Sequence, residues 1–299
     1  LDEAAMPFAK TNRITLFYET LGDNSHPALL LIMGLATQMI GWPDSFCRML
    51  AERDLYVIRF DNRDCGLSSK FDHLGVPDVV KLTAAASAGK KIQPPYQLTD
   101  MADDGILLLD HLGIEAANVC GLSMGGIIAQ IMALNHADRL RSLISMQSTT
   151  GEMDLEGARP EATKALMSVP PLNREKYLDH MAWVYDAFSG GSAAYDAVLQ
   201  RRLSAAAYDR AFYPIGFTRQ MAAILAAPGR RKALAKVKSP SLVLHGDCDS
   251  LLTLAHARDT ADAISNAQLV VVPQLGHGMA YPSLWPAMVA AVADHALRF

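Results

Sequence analysis

The stretch "NVCGLSMGG", residues 118–126, ends an apolar run on a serine set among glycines at 121, 125 and 126. Small residues two before and two after a serine leave room for a strained turn from strand to helix. Gly121-Leu122-Ser123-Met124-Gly125 fits that nucleophile-elbow pattern. A serine hydroxyl is a poor nucleophile at its own pKa, so the pattern acquires chemical meaning only if the chain also supplies a histidine to take the proton and a carboxylate to orient it.

Both lie downstream. "LVLHGDCDSLL", 242–252, is an apolar strand ending in two acids, Asp247 and Asp249, and "VVVPQLGHGMAYP", 270–282, is another that runs into His277 between glycines. The chain order serine, acid, histidine is that of serine hydrolases built on a sheet flanked by helices.

The rest of the chain reads as such a sheet. Residues 28–33, 55–60, 117–122, 141–146, 241–245 and 268–272 are short apolar runs without strict alternation, as expected of strands covered on both faces. Helical patterns separate most of them. Over 98–114, Met101, Ile106, Leu109 and Leu112 fall near helical spacing, with Thr99 as N-cap and Gly113 as stop, and 283–299 has the pattern of a closing amphipathic helix. Strand-helix alternation predicts an α/β fold with a mostly parallel sheet. From about 150 to 235 no strand pattern occurs; four helical segments follow one another, broken at 170–172, 189–192 and 227–230. We therefore expect a core of residues 1–149 and 236–299 with a helical cap inserted over 150–235.

Composition narrows the function. With 299 residues, half of them apolar, and a net charge of −4, the chain can bury a large core. No run of Lys or Arg offers a footprint for nucleic acid, and no apolar stretch is long enough to cross a bilayer, so neither partner is expected. Cys47, Cys65, Cys120 and Cys248 are scattered without metal or redox spacing, which predicts free thiols. The start "LDEAAMPFAK" lacks the regions of a secretory signal, so a cytoplasmic location is the default expectation. No H-E-x-x-H, P-loop or dinucleotide fingerprint occurs, and neither metal nor organic cofactor is expected.

Taken together, "MG" at 33–34, "DNRDCGLS" at 61–68, "GLSMGG" at 121–126, "HGDCD" at 245–249 and "GHG" at 276–278 resemble the α/β-hydrolases, in that family's order and across nearly the whole chain. Within the family the chain looks closest to aclacinomycin methylesterase-like enzymes, which share the "MG" and "DxRDxGxS" forms. The resemblance implies Ser123 as nucleophile, His277 as base and Asp249, three residues after Gly246, as the orienting acid. It also implies an oxyanion hole made from the backbone N–H groups of Met124 and Leu35. Many relatives have His-Gly where this chain has Met33-Gly34, and Arg-Gly where it has Arg63-Asp64; neither departure removes a catalytic group.

Simpler roles are expected for the neighbours: Asp247 in a turn, His245 at a strand end bonded to backbone, Asp61 and Arg63 as braces, and Cys120 as a small core residue. A serine at the elbow points away from relatives that attack with aspartate and towards acyl transfer to water. The expected activity is a serine carboxylesterase acting on uncharged small-to-medium esters, with methyl esters of bulky acids among them. Carbon–carbon bond hydrolysis and cofactor-free perhydrolysis use the same triad, and a non-catalytic receptor could keep the same fold. Trp183, Tyr185, Phe188, Phe212, Phe217 and Met221 put aromatic and flexible side chains into the cap. Of these, Trp183, Phe217 and Met221, with Gly34, are the expected substrate contacts. A homodimer is left open.

Overall fold

A computed structural model describes residues 7–11 and 13–299. Its eight strands are β1 (Phe8–Lys10), β2 (Thr15–Leu21), β3 (Ala28–Ile32), β4 (Tyr56–Phe60), β5 (Ala117–Leu122), β6 (Leu140–Met146), β7 (Ser241–Gly246) and β8 (Gln268–Val272). They form one sheet in the order β1-β2-β4-β3-β5-β6-β7-β8, antiparallel at β1/β2 and β2/β4 and parallel elsewhere. The α/β sheet expected from the sequence is thus present. Its six anticipated strands match β3 to β8 within one residue at each end.

Two strands were not anticipated. β1 and β2 are a short antiparallel pair at the sheet edge, only partly buried, so they lack the continuous apolar run that marks β3, β5 and β7.

The helices are α1 (Asp44–Ala51), α2 (Val79–Ser87), α3 (Leu98–His111), α4 (Met124–Asn135), α5 (Pro160–Leu166), α6 (Arg174–Ser189), α7 (Ala197–Ala211), α8 (Ile215–Ala226), α9 (Arg231–Leu234), α10 (Leu254–Ala263) and α11 (Trp285–Ala296). Successive side chains of a strand point to opposite faces, and the sheet sorts its leucines accordingly. Leu30 and Ile32 pack with α3 and α4 on one face. Leu29 and Leu31 pack with Phe46 and Leu50 of α1 and with Met288 and Val292 of α11 on the other. Each fully buried leucine contributes about 1.5–3 kcal/mol, so these two layers hold the strand ends in register.

The expected cap of α3 needs correction. The helix starts at Leu98 with Gln97 as its N-cap, whose backbone N–H donates to Asp100 Oδ2 at 2.7 Å, leaving Thr99 inside the first turn. Gly113 stops the helix with φ +69, and the Ile114 N–H returns to the Leu109 carbonyl.

Between β6 and β7 the described chain makes helices only, α5 to α9. α6 ends in left-handed Gly190, where a Cβ would lie 2.0 Å from the Cys248 carbonyl oxygen, so the end of this helix rests directly on the loop after β7. No described helix is long and apolar enough to cross a membrane.

Candidate active site

β5 ends at Leu122, α4 begins at Met124, and Ser123 between them has φ +58 and ψ −119. A non-glycine residue held there costs on the order of 1–3 kcal/mol, and the surroundings enforce it. A Cβ on Gly121 would sit 1.9 Å from the Gly125 carbonyl oxygen, and one on Gly125 would sit 2.0 Å from that of Ile32. Without glycine at both places the start of α4 could not lie so close to β5 and β3. The Ser123 N–H donates to the Met146 carbonyl at 2.9 Å, and the Ser123 carbonyl accepts from Ser148 Oγ at 2.8 Å. The serine backbone is therefore fixed to the end of β6.

His277 and Asp249 meet at the same end of the sheet. His277 Nδ1 lies 2.7 Å from Asp249 Oδ2, and both side chains are buried. Asp249 Oδ1 accepts the backbone N–H groups of Leu251 at 3.0 Å and Leu252 at 2.8 Å, which locks the carboxylate's orientation. Asp247 turns away and accepts the Gln274 N–H at 2.7 Å. His277 is set from above by the Phe188 carbonyl, which takes its N–H at 3.0 Å. The His277 ring bonds Asp249 and makes no hydrogen bond to Ser123 in this structure; in unliganded enzymes such contacts are commonly long and tighten only once substrate is bound.

A second histidine lies behind the acid. His245 Nε2 donates to the Leu252 carbonyl at 2.6 Å and stands 3.5 Å from Asp249 Oδ2. Burial pushes its pKa below the ordinary imidazole value, with the Asp249 carboxylate opposing the shift, so His245 is a neutral strand-end donor. The four cysteines are free thiols, and burial raises the pKa of Cys120 on β5.

The loop after β3 runs against the serine: a Cβ on Gly34 would meet Ser123 Cβ and the Leu122 carbonyl oxygen, each at 3.2 Å. Among the described residues neither the Leu35 N–H nor the Met124 N–H donates to a protein acceptor. Asp61 braces this loop by accepting the Met39 N–H at 2.8 Å, and Asn62 Nδ2 donates to the Met33 carbonyl at 2.9 Å. Arg63 pairs with buried Asp104 at 2.7 Å and lies over the rings of Phe71 and Tyr96.

Sequence reasoning missed Gln147. It is buried, left-handed at φ +46, and its amide both accepts the Gly278 N–H at 2.7 Å and donates to the Gly278 carbonyl at 3.3 Å. This two-point clamp ties the residue after His277 to the residue after Met146, and so ties the positions of His277 and Ser123. A lone glutamine after an apolar strand carries no periodic signal that would reveal it.

The side chains singled out between β6 and β7 divide. From α6 the Phe188 ring packs edge-on to His277 at 6.0 Å between centroids, and the Tyr185 ring lies against Gly278. Trp183, expected near the substrate, instead stands 40 % exposed, beside His180 and under the Lys164 ammonium. Trp183 stands one residue from buried Val184 and five from buried Leu178 and Phe188, steps of about 100° and 140° around a helix of 3.6 residues per turn that turn its side chain outwards, a distinction composition cannot make. Phe217 and Met221 lie four residues apart on one face of α8, half-buried and buried respectively. Two surface hollows, of 460 and 210 Å³, include neither Ser123 nor His277 in their walls. Among the described residues, no group of three or more His, Cys, Asp or Glu could hold a metal ion.

Known proteins extend this picture. The chain is 28% identical to rhodomycin D methylesterase DauP of Streptomyces sp. (strain C5), covering 95% of each chain. It is 31% identical to a 2-hydroxymuconate semialdehyde hydrolase of Pseudomonas sp. (strain CF600) over 61% of this chain and 62% of that one. A solved hydrolase from Pseudomonas aeruginosa PA01 superposes with a TM-score of 0.71 at 22% identity, covering 98% of this chain and 99% of the other. Residues 27–282 match the family described as alpha/beta hydrolase fold. With the parallel sheet, the serine elbow and that match in hand, the chain belongs to the alpha/beta hydrolase fold family.

Proposed function

We propose that the protein is a serine carboxylesterase. The observation that carries this reading is the buried His277–Asp249 pair, clamped by Gln147 at the sheet end where Ser123 occupies the strained elbow. In the proposed reaction Ser123 Oγ attacks the ester carbonyl while His277 Nε2 takes its proton. Asp249 stays ionised and stabilises the imidazolium. The developing oxyanion is met by the N–H groups of Leu35 and Met124, which have no competing protein acceptor. His277 then protonates the departing alkoxide, and water activated by the same ring hydrolyses the acyl-enzyme. No step needs a cofactor.

We assign the α5–α9 region, residues 150–235, as a cap over a core of 1–149 and 236–299. Gly34, Phe217 and Met221 are proposed substrate contacts, joined by Tyr185 and Phe188 in place of Trp183. These surroundings are largely apolar, which favours uncharged esters of small to medium size. The methylesterase relative adds weight to methyl esters of bulky acids. Carbon–carbon bond hydrolysis is the second reading, because a relative named as a semialdehyde hydrolase matches three-fifths of the chain.

The test is fluorophosphonate labelling followed by a p-nitrophenyl ester chain-length series, run beside a vinylogous diketone substrate for carbon–carbon cleavage. Ser123→Ala should abolish labelling and lower ester turnover by about 10⁴-fold or more while the fold survives. Residual activity within about tenfold of the parent, ~1.4 kcal/mol of barrier, would remove Ser123 from the mechanism. Faster diketone than ester turnover would favour the second reading.

A further inference from the structure

The oxyanion loop is a tight turn held from outside by the cap. The Thr37 N–H donates to the Gly34 carbonyl at 3.3 Å, which makes Leu35 and Ala36 the central pair of a four-residue turn. Ala36 has φ +52, a value that suits glycine in this position and is costly for alanine. The peptide between Leu35 and Ala36 is the unit whose rotation would relieve that strain, converting one turn type into another. It is pinned on both edges. Its carbonyl accepts Thr37 Oγ1 at 3.0 Å, and its N–H donates to Gln220 Oε1 at 2.7 Å.

Gln220 belongs to α8, far along the chain from the loop it holds. Its side chain is fully buried, and its Nε2 donates to the Arg63 carbonyl at 2.7 Å, so the amide can be rotated neither out nor over without losing both bonds. α8 itself cannot drift. The neighbouring Arg219 makes a two-bond ion pair with Asp64, both bonds at 2.8 Å, and a Cβ on Gly216 would lie 2.0 Å from the Asp64 carbonyl oxygen. This helix is thus seated against the backbone of the 61–64 loop, and among the described residues Gln220 is the α8 side chain that hydrogen-bonds from there to the loop beside Ser123.

We infer that Gln220 is a positioning residue: by holding the Leu35–Ala36 peptide in its strained orientation it fixes the turn whose preceding peptide, Gly34–Leu35, carries the oxyanion donor, the Leu35 N–H. The inference rests on the esterase reading of Ser123 and its oxyanion loop. It makes α8 part of the catalytic geometry, acting through another residue and without itself touching the substrate.

The test compares Gln220→Leu with the parent and with Ser123→Ala on a short p-nitrophenyl ester. Gln220→Leu should lower kcat about tenfold, below the loss known for deleting an oxyanion donor outright, with KM within about twofold and phosphonate labelling of Ser123 slowed in parallel. Adding Ala36→Gly, which removes the penalty of positive φ, should return much of the lost kcat; a packing defect would not be repaired there. Unchanged kcat in Gln220→Leu, or a loss confined to KM, overturns the inference provided Ser123→Ala is inactive. An active Ser123→Ala would overturn the esterase reading instead. If Gln220→Leu fails to fold, Thr37→Val, which frees the same peptide from its other edge and leaves α8 untouched, decides the matter: a fall in kcat alone supports the inference and an unchanged kcat refutes it.

Discussion

Strands β3, β5 and β7 are buried along their whole length, mostly by apolar side chains, whereas α7 and α8 add charged and amide groups to the surface by which they meet the same core. Arg219 pairs with Asp64, Arg210 with Asp61 at 2.8 Å, and Gln38 donates to the Ala207 and Ala211 carbonyls at the end of α7. The two regions obey different rules. Apolar burial is non-directional and tolerates small shifts. A buried ion pair has one geometry that satisfies it, and it loses heavily when either partner goes. Ser123 and Asp249 accordingly follow the ends of apolar strands, and the polar contacts fix where the neighbouring helices sit.

That contrast can be broken at several points, beginning with the site itself. Asp249→Asn should lower ester turnover by roughly 10³–10⁴-fold, because the amide presents the wrong partner to His277 Nδ1. Asp247→Asn should stay within a few-fold, its carboxylate serving the Gln274 N–H. The reverse ranking in folded variants, read as kcat/KM, would move the acid to Asp247.

At the polar seat the readout is stability. Asp64→Asn keeps the side-chain shape but leaves the buried Arg219 guanidinium with only the exposed Asp72, 3.5 Å away, as counter-charge, and should cost about 3 kcal/mol by urea unfolding. Pairing it with Arg219→Met should recover part of that, since apolar contacts replace such pairs at little cost. A loss below about 1 kcal/mol for the single change would mean that α8 is seated by packing after all.

A smaller effect follows from His245. Its folded-state pKa lies below the usual value of about 6.5 because burial opposes the charged form. As pH falls through that unfolded-state value the unfolded chain takes up a proton that the folded chain refuses, so stability declines on the acid side and is regained above it. Tm measured between about pH 7.5 and 5 should fall less in His245→Gln, which can still donate to the Leu252 carbonyl. An identical slope in the two proteins would show that other groups set the acid limb.

The smallest change is expected at Trp183. Its exposed ring lies under Lys164, so Trp183→Ala should alter kcat/KM across an ester series by less than about twofold, while Phe188→Ala, beside His277, should alter it more. A chain-length preference that moved with Trp183 would place the outer face of α6 along the substrate's path.

What could be read without coordinates follows the same division. The parallel strands announce themselves because a strand covered on both faces must be apolar throughout, and the serine turn because only glycine fits at 121 and 125. The edge strands β1 and β2 were silent, as half-buried residues such as Glu19 interrupt their pattern. Gln147 and Gln220 were silent for another reason. Their meaning lies in one carbonyl or one N–H across the fold, and a single amide leaves no periodic trace. Trp183 misled because aromatic content says how much apolar surface α6 has, and not which way each ring turns.

Two glycines on the helices between β6 and β7 lie backbone to backbone against the rest of the fold: Gly190 on the Cys248 carbonyl and Gly216 on that of Asp64. Such points act as gauge marks for exchange between relatives. Helices of other lengths and faces grafted between β6 and β7 keep this seating only with glycine at both marks, because a graft that puts any side chain at either arrives displaced. One mark lies beside the turn that carries Asp249 and the other on the loop that Gln220 also grips. A misfit at Gly190 would consequently disturb Asp249, and one at Gly216 the loop that carries Leu35, so a failed chimera would reveal by its defect which end was seated wrongly.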